Sequence, residues 1–149
     1  LKPDGEVRLK YTYIIKCNEV VKDAEGNVVE LKCTYDPSTR PGSGEWRSVK
    51  GTIHWVSASH AKEVELRLYD KLFTEPEMGS IPEGKDYKEY LNPDSLKVTS
   101  GFAEPALLED KSGLAVQFER VGYFFKDPDS TPEHFVYNKT TALKDSFKF

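Results

Sequence analysis

Three stretches of this sequence hold side chains whose types and spacing could do chemistry. "GTIHWVSASHAKEVELRLYDKLF" (51–73) carries His54 and His60 beside Ser57 and Ser59. "EVRLK" (6–10) sets Arg8 and Lys10 two residues apart. "QFERVGYFF" (117–125) places Gln117 and Arg120 among Phe118, Tyr123, Phe124 and Phe125. The first stretch suggests a metal or a nucleophile. Zinc needs three or four converging nitrogen, sulfur or carboxylate ligands, but the third histidine, His134, is distant and no HxH, HExxH or CxxC spacing occurs. Ser57, Ser59 and His60 adjoin, yet no GxSxG elbow and no orienting acid accompany them. Glycine loops for phosphate are missing in both the GxGxxG and the GxxxxGK[ST] form. Carboxylates are plentiful but lie in no acid/base context. No catalytic residue and no metal ligand is assigned.

The basic and amide-bearing stretches fit binding better. Arg8 and Lys10 on one strand point to the same face, opposite Val7, Leu9 and Tyr11. Such a pair grips phosphates, or reads a base edge through the arginine fork; a solvated strand face explains it as well. Gln117 supplies both a donor and an acceptor, and Arg120 a planar fork. Hydrogen-bonding groups beside aromatic planes are what single-stranded RNA recognition uses. A core strand with polar residues turned to solvent is the competing reading.

The elements that must position these residues are mostly strands. "EVRLKYTYIIKC" (6–17) alternates with period two and reads as a strand, and "VVELKCTY" (28–35) as its hairpin partner. "KDAEGN" between them is a turn, with Gly26 or Asn27 able to take positive φ. Counted outward from Glu25, Cys17 and Cys33 fall at matching distance on opposite strands, as cross-strand neighbours. They read as a reduced, half-buried pair in a cytosolic protein. "DPSTRPGSG" (36–44) and "TEPEMGSIPEG" (74–84) are loops. Strands follow over 46–56, 63–73, 95–104, 114–127 and 134–143, with short helical turns at "SASHAKE" and "DYKEYLNP". Seven or so short strands separated by Pro and Gly predict an all-β barrel or barrel pair.

Composition sets the outer bounds. The chain has 149 residues, 38% hydrophobic and 31% charged, enough for one ordinary domain or two very small ones. Aromatics at 12% supply apolar area that disordered chains lack. No apolar run approaches the roughly 18–20 residues of a membrane span. The net charge of −4 counts against a nucleic-acid binder unless a local basic face exists. The chain does not begin with Met and has no apolar signal core at its start, so it reads as a fragment or a processed product.

At "KGTIHWVSASHAKEVELRLYDKLF", "LNPDSLKVTSGFAEPAL", "VQFERVGYFFKD" and "FVYNKTTALKDSF" the sequence closely resembles the C-terminal region of bacterial glutaminyl-tRNA synthetases, in order and over nearly all 149 residues. The resemblance implies an all-β anticodon-binding region, 1–149, of two small interwoven antiparallel β-barrels. It implies a cytoplasmic, monomeric parent that attaches glutamine to its tRNA using ATP and Mg. The HIGH and KMSKS-type motifs of the Rossmann-type catalytic domain are not in this chain, so no cofactor is expected here and the partner is the glutamine tRNA anticodon loop, not DNA or membrane. Arg8 matches a family arginine that reads or holds the first anticodon base. Lys10 falls where the family often has arginine and, without the bidentate fork, is assigned a phosphate. Gln117 and Arg120 match the pair that contacts the middle base, a uridine. Family residues reading the third base precede Leu1. Trp55, Leu66, Leu68 and Phe73 read as core, alternating with exposed Glu65 and Arg67. Gln117 and Arg120 are three apart, so a regular strand would send them to opposite faces; a shared base requires an irregularity between 117 and 122, assisted by Gly122. Alternatives are the anticodon-binding region of a eukaryotic or archaeal-type glutamyl-tRNA synthetase, which "QFER" disfavours, and a β-barrel interaction module without RNA.

Overall fold

The computed structural model describes residues 1–44 and 46–143. The chain divides into two compact units, Leu1–Trp55 and Val56–Phe149, and each carries one sheet.

In the first unit, β1 (Glu6–Leu9), β2 (Ile14–Lys22), β3 (Val28–Asp36) and β4 (Thr52–Ile53) form a sheet ordered β3-β2-β1-β4. The stretch 6–17, expected as one strand, is two. Tyr11 takes a left-handed φ of 63°, Leu9 N–H donates to the Tyr13 carbonyl and Thr12 N–H to that of Leu9, both at 2.9 Å. The chain thereby reverses, and β1 and β2 pair antiparallel with Val7 opposite Ile15 and Arg8 opposite Ile14. Lys10 lies in that turn, not on the strand beside Arg8. The β2–β3 hairpin matches expectation. Asp23 Oδ1 accepts from the Glu25 and Asn27 amides at 2.9 and 2.8 Å, and Gly26 supplies the positive φ of 87°. Cys17 stands directly opposite Cys33. The expected strand over 46–56 shrinks to β4, parallel to β1. Residues ahead of it turn away because Arg47 reaches across to Glu6 at 2.7 Å.

In the second unit, β5 (Lys62–Tyr69), β6 (Leu96–Ala103), β7 (Val116–Phe118), β8 (Gly122–Lys126) and β9 (Val136–Thr141) are ordered β6-β5-β9-β8-β7, with β5 and β9 parallel. The stretch 114–127, expected as one long strand, is the β7–β8 hairpin. Residues 144–147 of the last resembling segment lie outside the described residues. One face of the sheet buries Val64, Leu66, Phe124 and Tyr137 with Ala103. The short helix α1 (Pro105–Leu108) caps this core with Leu107 and Leu108. Phe118 stacks on Phe124 at 4.6 Å between centroids. Residues 87–90, predicted as a helical turn, form a 3-10 turn capped by the Asp86 side chain. Burying apolar area at about 25 cal/mol per Å² is what secures such a small unit.

Three further expectations need correction. The sheets are not closed into barrels among the described residues: β3 and β4 remain edges of the first, β6 and β7 of the second. Two residues in β4 and three in β7 are too few for a closing ladder. Trp55 is not core but 41% exposed, because its indole N–H donates to the Lys10 carbonyl at 3.2 Å. Leu66 is buried, and Leu68 and Phe73 are half-buried. Glu65 and Arg67 are half-buried too, rather than exposed. Arg67 bonds Glu65 at 2.8 Å and Asp127 at 3.2 Å.

Candidate nucleic-acid interface

In the first unit the basic residues are held by a turn and a loop. Arg8 points opposite Val7, as alternation requires, but that face is not solvated. The loop after β3 folds over it, and Arg8 is only 6% exposed. Its guanidinium donates to the carbonyls of Thr12 and Thr39 at 2.9 Å each and to that of Arg47 at 3.1 Å. Thr39, itself buried, accepts the Ile14 amide at 2.9 Å through its hydroxyl. The Arg8 Cζ sits 3.9 Å from the centroid of the Trp46 ring. Lys10 Nζ lies 4.9 Å from the centroid of Tyr11. Two cations therefore meet two aromatic faces, an attraction of about 0.5–1 kcal/mol where exposed and up to about 2 kcal/mol where desolvated, as the buried Arg8 is. Tyr11 is 79% and Trp46 66% exposed. Arg47, by contrast, is engaged with Glu6 and Asp36. Its guanidinium is the main cause that holds the Glu6 carboxyl below its usual value.

In the second unit the β7–β8 hairpin carries the other pair. Gln117, exposed on β7, stands opposite Tyr123 on β8, so the two side chains share a face, as does Phe125 one step along. Phe118 and Phe124 turn inward. Arg120 is exposed at the reversal with a left-handed φ of 62°, and Val121 N–H closes the turn on the Phe118 carbonyl at 2.9 Å. Gly122 follows with φ 157°. A Cβ there would come within 2.8 Å of the Thr141 carbonyl oxygen, so glycine lets β8 lie this close to β9. The required irregularity between 117 and 122 is thus present, as a full chain reversal.

Of the two histidines in the 51–73 stretch, His60 serves local contacts. His60 Nδ1 is 2.9 Å from the hydroxyls of both Ser57 and Ser59 on an exposed turn. Among the described residues no group of three or more His, Cys, Asp or Glu is placed to hold a metal, and no helix is long and apolar enough to cross a membrane. Each candidate pair, Arg8 with Lys10 and Gln117 with Arg120, falls within one unit. Sequence reasoning missed Tyr11 and Trp46. A tryptophan two residues past a loop dense in Pro, Gly and Ser was the available signal.

Two models described as "tRNA synthetases class I (E and Q), anti-codon binding domain" match, one over residues 1–36 and the other over 52–127. The chain is 49% identical over 148 residues to a glutamine–tRNA ligase of Nitrobacter hamburgensis and 47% over 148 residues to one of Rhodopirellula baltica. It is 49% identical over 154 residues to one of Neisseria gonorrhoeae. Each comparison covers 99% of this chain and 26%, 25% and 27% of those relatives in turn. The chain spans about a quarter of the length of the curated relatives it matches.

Proposed function

The chain belongs to the anticodon-binding domain family of the class I glutamate and glutamine tRNA synthetases, and from that premise we propose that it recognises the anticodon of glutamine tRNA as part of a glutamine–tRNA ligase. The observation that carries this is continuous similarity to glutamine enzymes across 99% of the chain. In this reading the parent is a cytoplasmic monomer that attaches glutamine to tRNA with ATP and Mg in a separate catalytic domain. These 149 residues, the anticodon-binding region of that longer chain, supply specificity and no chemistry.

Lys10 takes a phosphate of the anticodon loop. Arg8 acts at the first anticodon base by fixing the backbone at Thr39 and Arg47, because three backbone carbonyls already occupy its donors. Gln117 and Arg120 take the middle base. The hairpin supports this, since reversal at 119–121 removes the strand geometry that would hold them on opposite faces.

Competition binding tests the reading. The chain should prefer a glutamine anticodon stem-loop over the same stem-loop with its middle uridine replaced by cytidine. A lost base-edge contact is worth about 1–3 kcal/mol, roughly ten- to a hundredfold. Equal affinity for the two would overturn the assignment of the middle base.

A further inference from the structure

We propose that the exposed rings of Trp46 and Tyr11, each backed by a cation, form a stacking platform for an unpaired nucleobase. The proposal deepens the anticodon-binding reading and rests on it. Arg8 covers one face of the Trp46 indole at 3.9 Å, yet the residue stays 66% exposed, so the opposite face looks into solvent. Tyr11 repeats the arrangement with Lys10 at 4.9 Å and 79% exposure. Both rings are anchored to the same spot. Arg8 donates to the Thr12 carbonyl beside Tyr11 and to the Arg47 carbonyl beside Trp46, which draws the β1–β2 turn and the loop before β4 together.

Large apolar rings are usually placed where they bury area, and a bulky residue with positive φ is a rare conformation. Tyr11 has both departures at once, at φ 63°. Such outliers point to function when the surroundings hold them in place. The occupant follows from the chemistry. A flat ring with a cation behind it offers one open π-face, and unpaired bases use π-faces on aromatic platforms regardless of sequence. A base in a duplex presents only its edge and is excluded. Because Arg8 is committed to three carbonyls, it contributes rigidity and field rather than base-edge hydrogen bonds. The indole is therefore held ready, and little side-chain freedom remains to be lost on binding.

The test uses the glutamine anticodon stem-loop with wild-type protein, Trp46→Leu and Trp46→Phe. Wild type labelled with 5-fluorotryptophan should show the Trp46 fluorine resonance, assigned through Trp46→Phe, moving on addition of RNA. Trp46→Leu should bind roughly tenfold more weakly and Trp46→Phe within about threefold of wild type. The salt dependence of Trp46→Leu should match wild type, because stacking releases no counterions. The platform is refuted if wild type binds but the Trp46 resonance stays still, or if Trp46→Leu binds as tightly as wild type. A shallower salt slope for Trp46→Leu also refutes it, since that traces the loss to a phosphate contact. Failure of wild type to bind the stem-loop at all refutes the anticodon reading itself, and the platform with it.

Discussion

At the scale of single residues, Arg8 shows how a charged side chain can be identified by type and face while its surroundings stay hidden. Alternation in "EVRLK" put it opposite Val7, and it is there. Its burial comes from the loop around Thr39, tens of residues away in sequence, which no local pattern encodes. Arg8→Met should lower stability by about 1–3 kcal/mol, because buried carbonyls lose their donors. Arg8→Lys should recover only part of this, since one ammonium cannot span the carbonyls of Thr12, Thr39 and Arg47. Urea unfolding of the three proteins measures it; midpoints coinciding within error would mean that these bonds are replaceable by water. For Arg120 the expected effect is on recognition. Arg120→Ala should flatten the preference for a middle uridine by roughly ten- to a hundredfold while leaving stability nearly unchanged. Undiminished preference in the variant would remove Arg120 as the reader.

At the scale of elements, the two segments misread as single strands, 6–17 and 114–127, failed for one reason. Register partners Val7 and Ile15, like Val116 and Phe124, are an even number of residues apart. The inward set therefore keeps its parity through the turn, and period two runs on as though the strand had not reversed. The spacing of Gln117 and Arg120 carried the missing information, because a shared face was incompatible with one regular strand. Gly122→Ala should destabilise the β7–β8 hairpin by about 1–3 kcal/mol, as the new methyl meets the Thr141 backbone; unchanged thermal unfolding would contradict the close approach.

Cys17 was legible from hairpin counting alone. Its amide and carbonyl are bonded to Gly5 and Asp4 on the other side, so facing Cys33 it occupies a non-hydrogen-bonded site, where side chains approach most closely. Excess small-molecule disulfide should convert the two free thiols to an intramolecular bridge. The pair is not evenly half-buried as expected: Cys17 is buried and Cys33 exposed. Slight desolvation and the neighbouring Cys17 raise the Cys33 thiol above its usual value, so the conversion should quicken as pH rises. Stable mixed disulfides in place of the bridge would contradict the pairing.

The network around Arg67 contributes to the pH response of the second unit. Glu65 is depressed chiefly by Arg67. Asp127 is depressed first by the Asp129 amide and then by Asn138. Lowered carboxyls stabilise the fold above their ordinary value of about 4, and that stability disappears as pH falls through the folded values. Asp127→Asn should therefore lose less stability than wild type between about pH 5 and pH 3. Parallel losses would show that Asp127 does not contribute.

At the scale of the whole molecule, composition gave a net charge of −4 that argued against nucleic acid, whereas the local structure concentrates cations on aromatic rings at one turn of the first unit. Net charge is an average and says nothing of such a spot. The purified chain should not charge tRNA with glutamine, since it spans only about a quarter of the length of the ligases it matches; detectable aminoacylation would contradict that division of labour. The central claim is that two defined sites meet the anticodon. Isotope-labelled protein titrated with the glutamine anticodon stem-loop and followed by NMR tests it most directly. The predicted result is movement of resonances at Lys10, Tyr11, Gln117 and Arg120, with the Gln117 and Arg120 changes lost when the middle uridine is replaced. Resonances at these positions that stay still while others move, or that move identically for the substituted stem-loop, would contradict it.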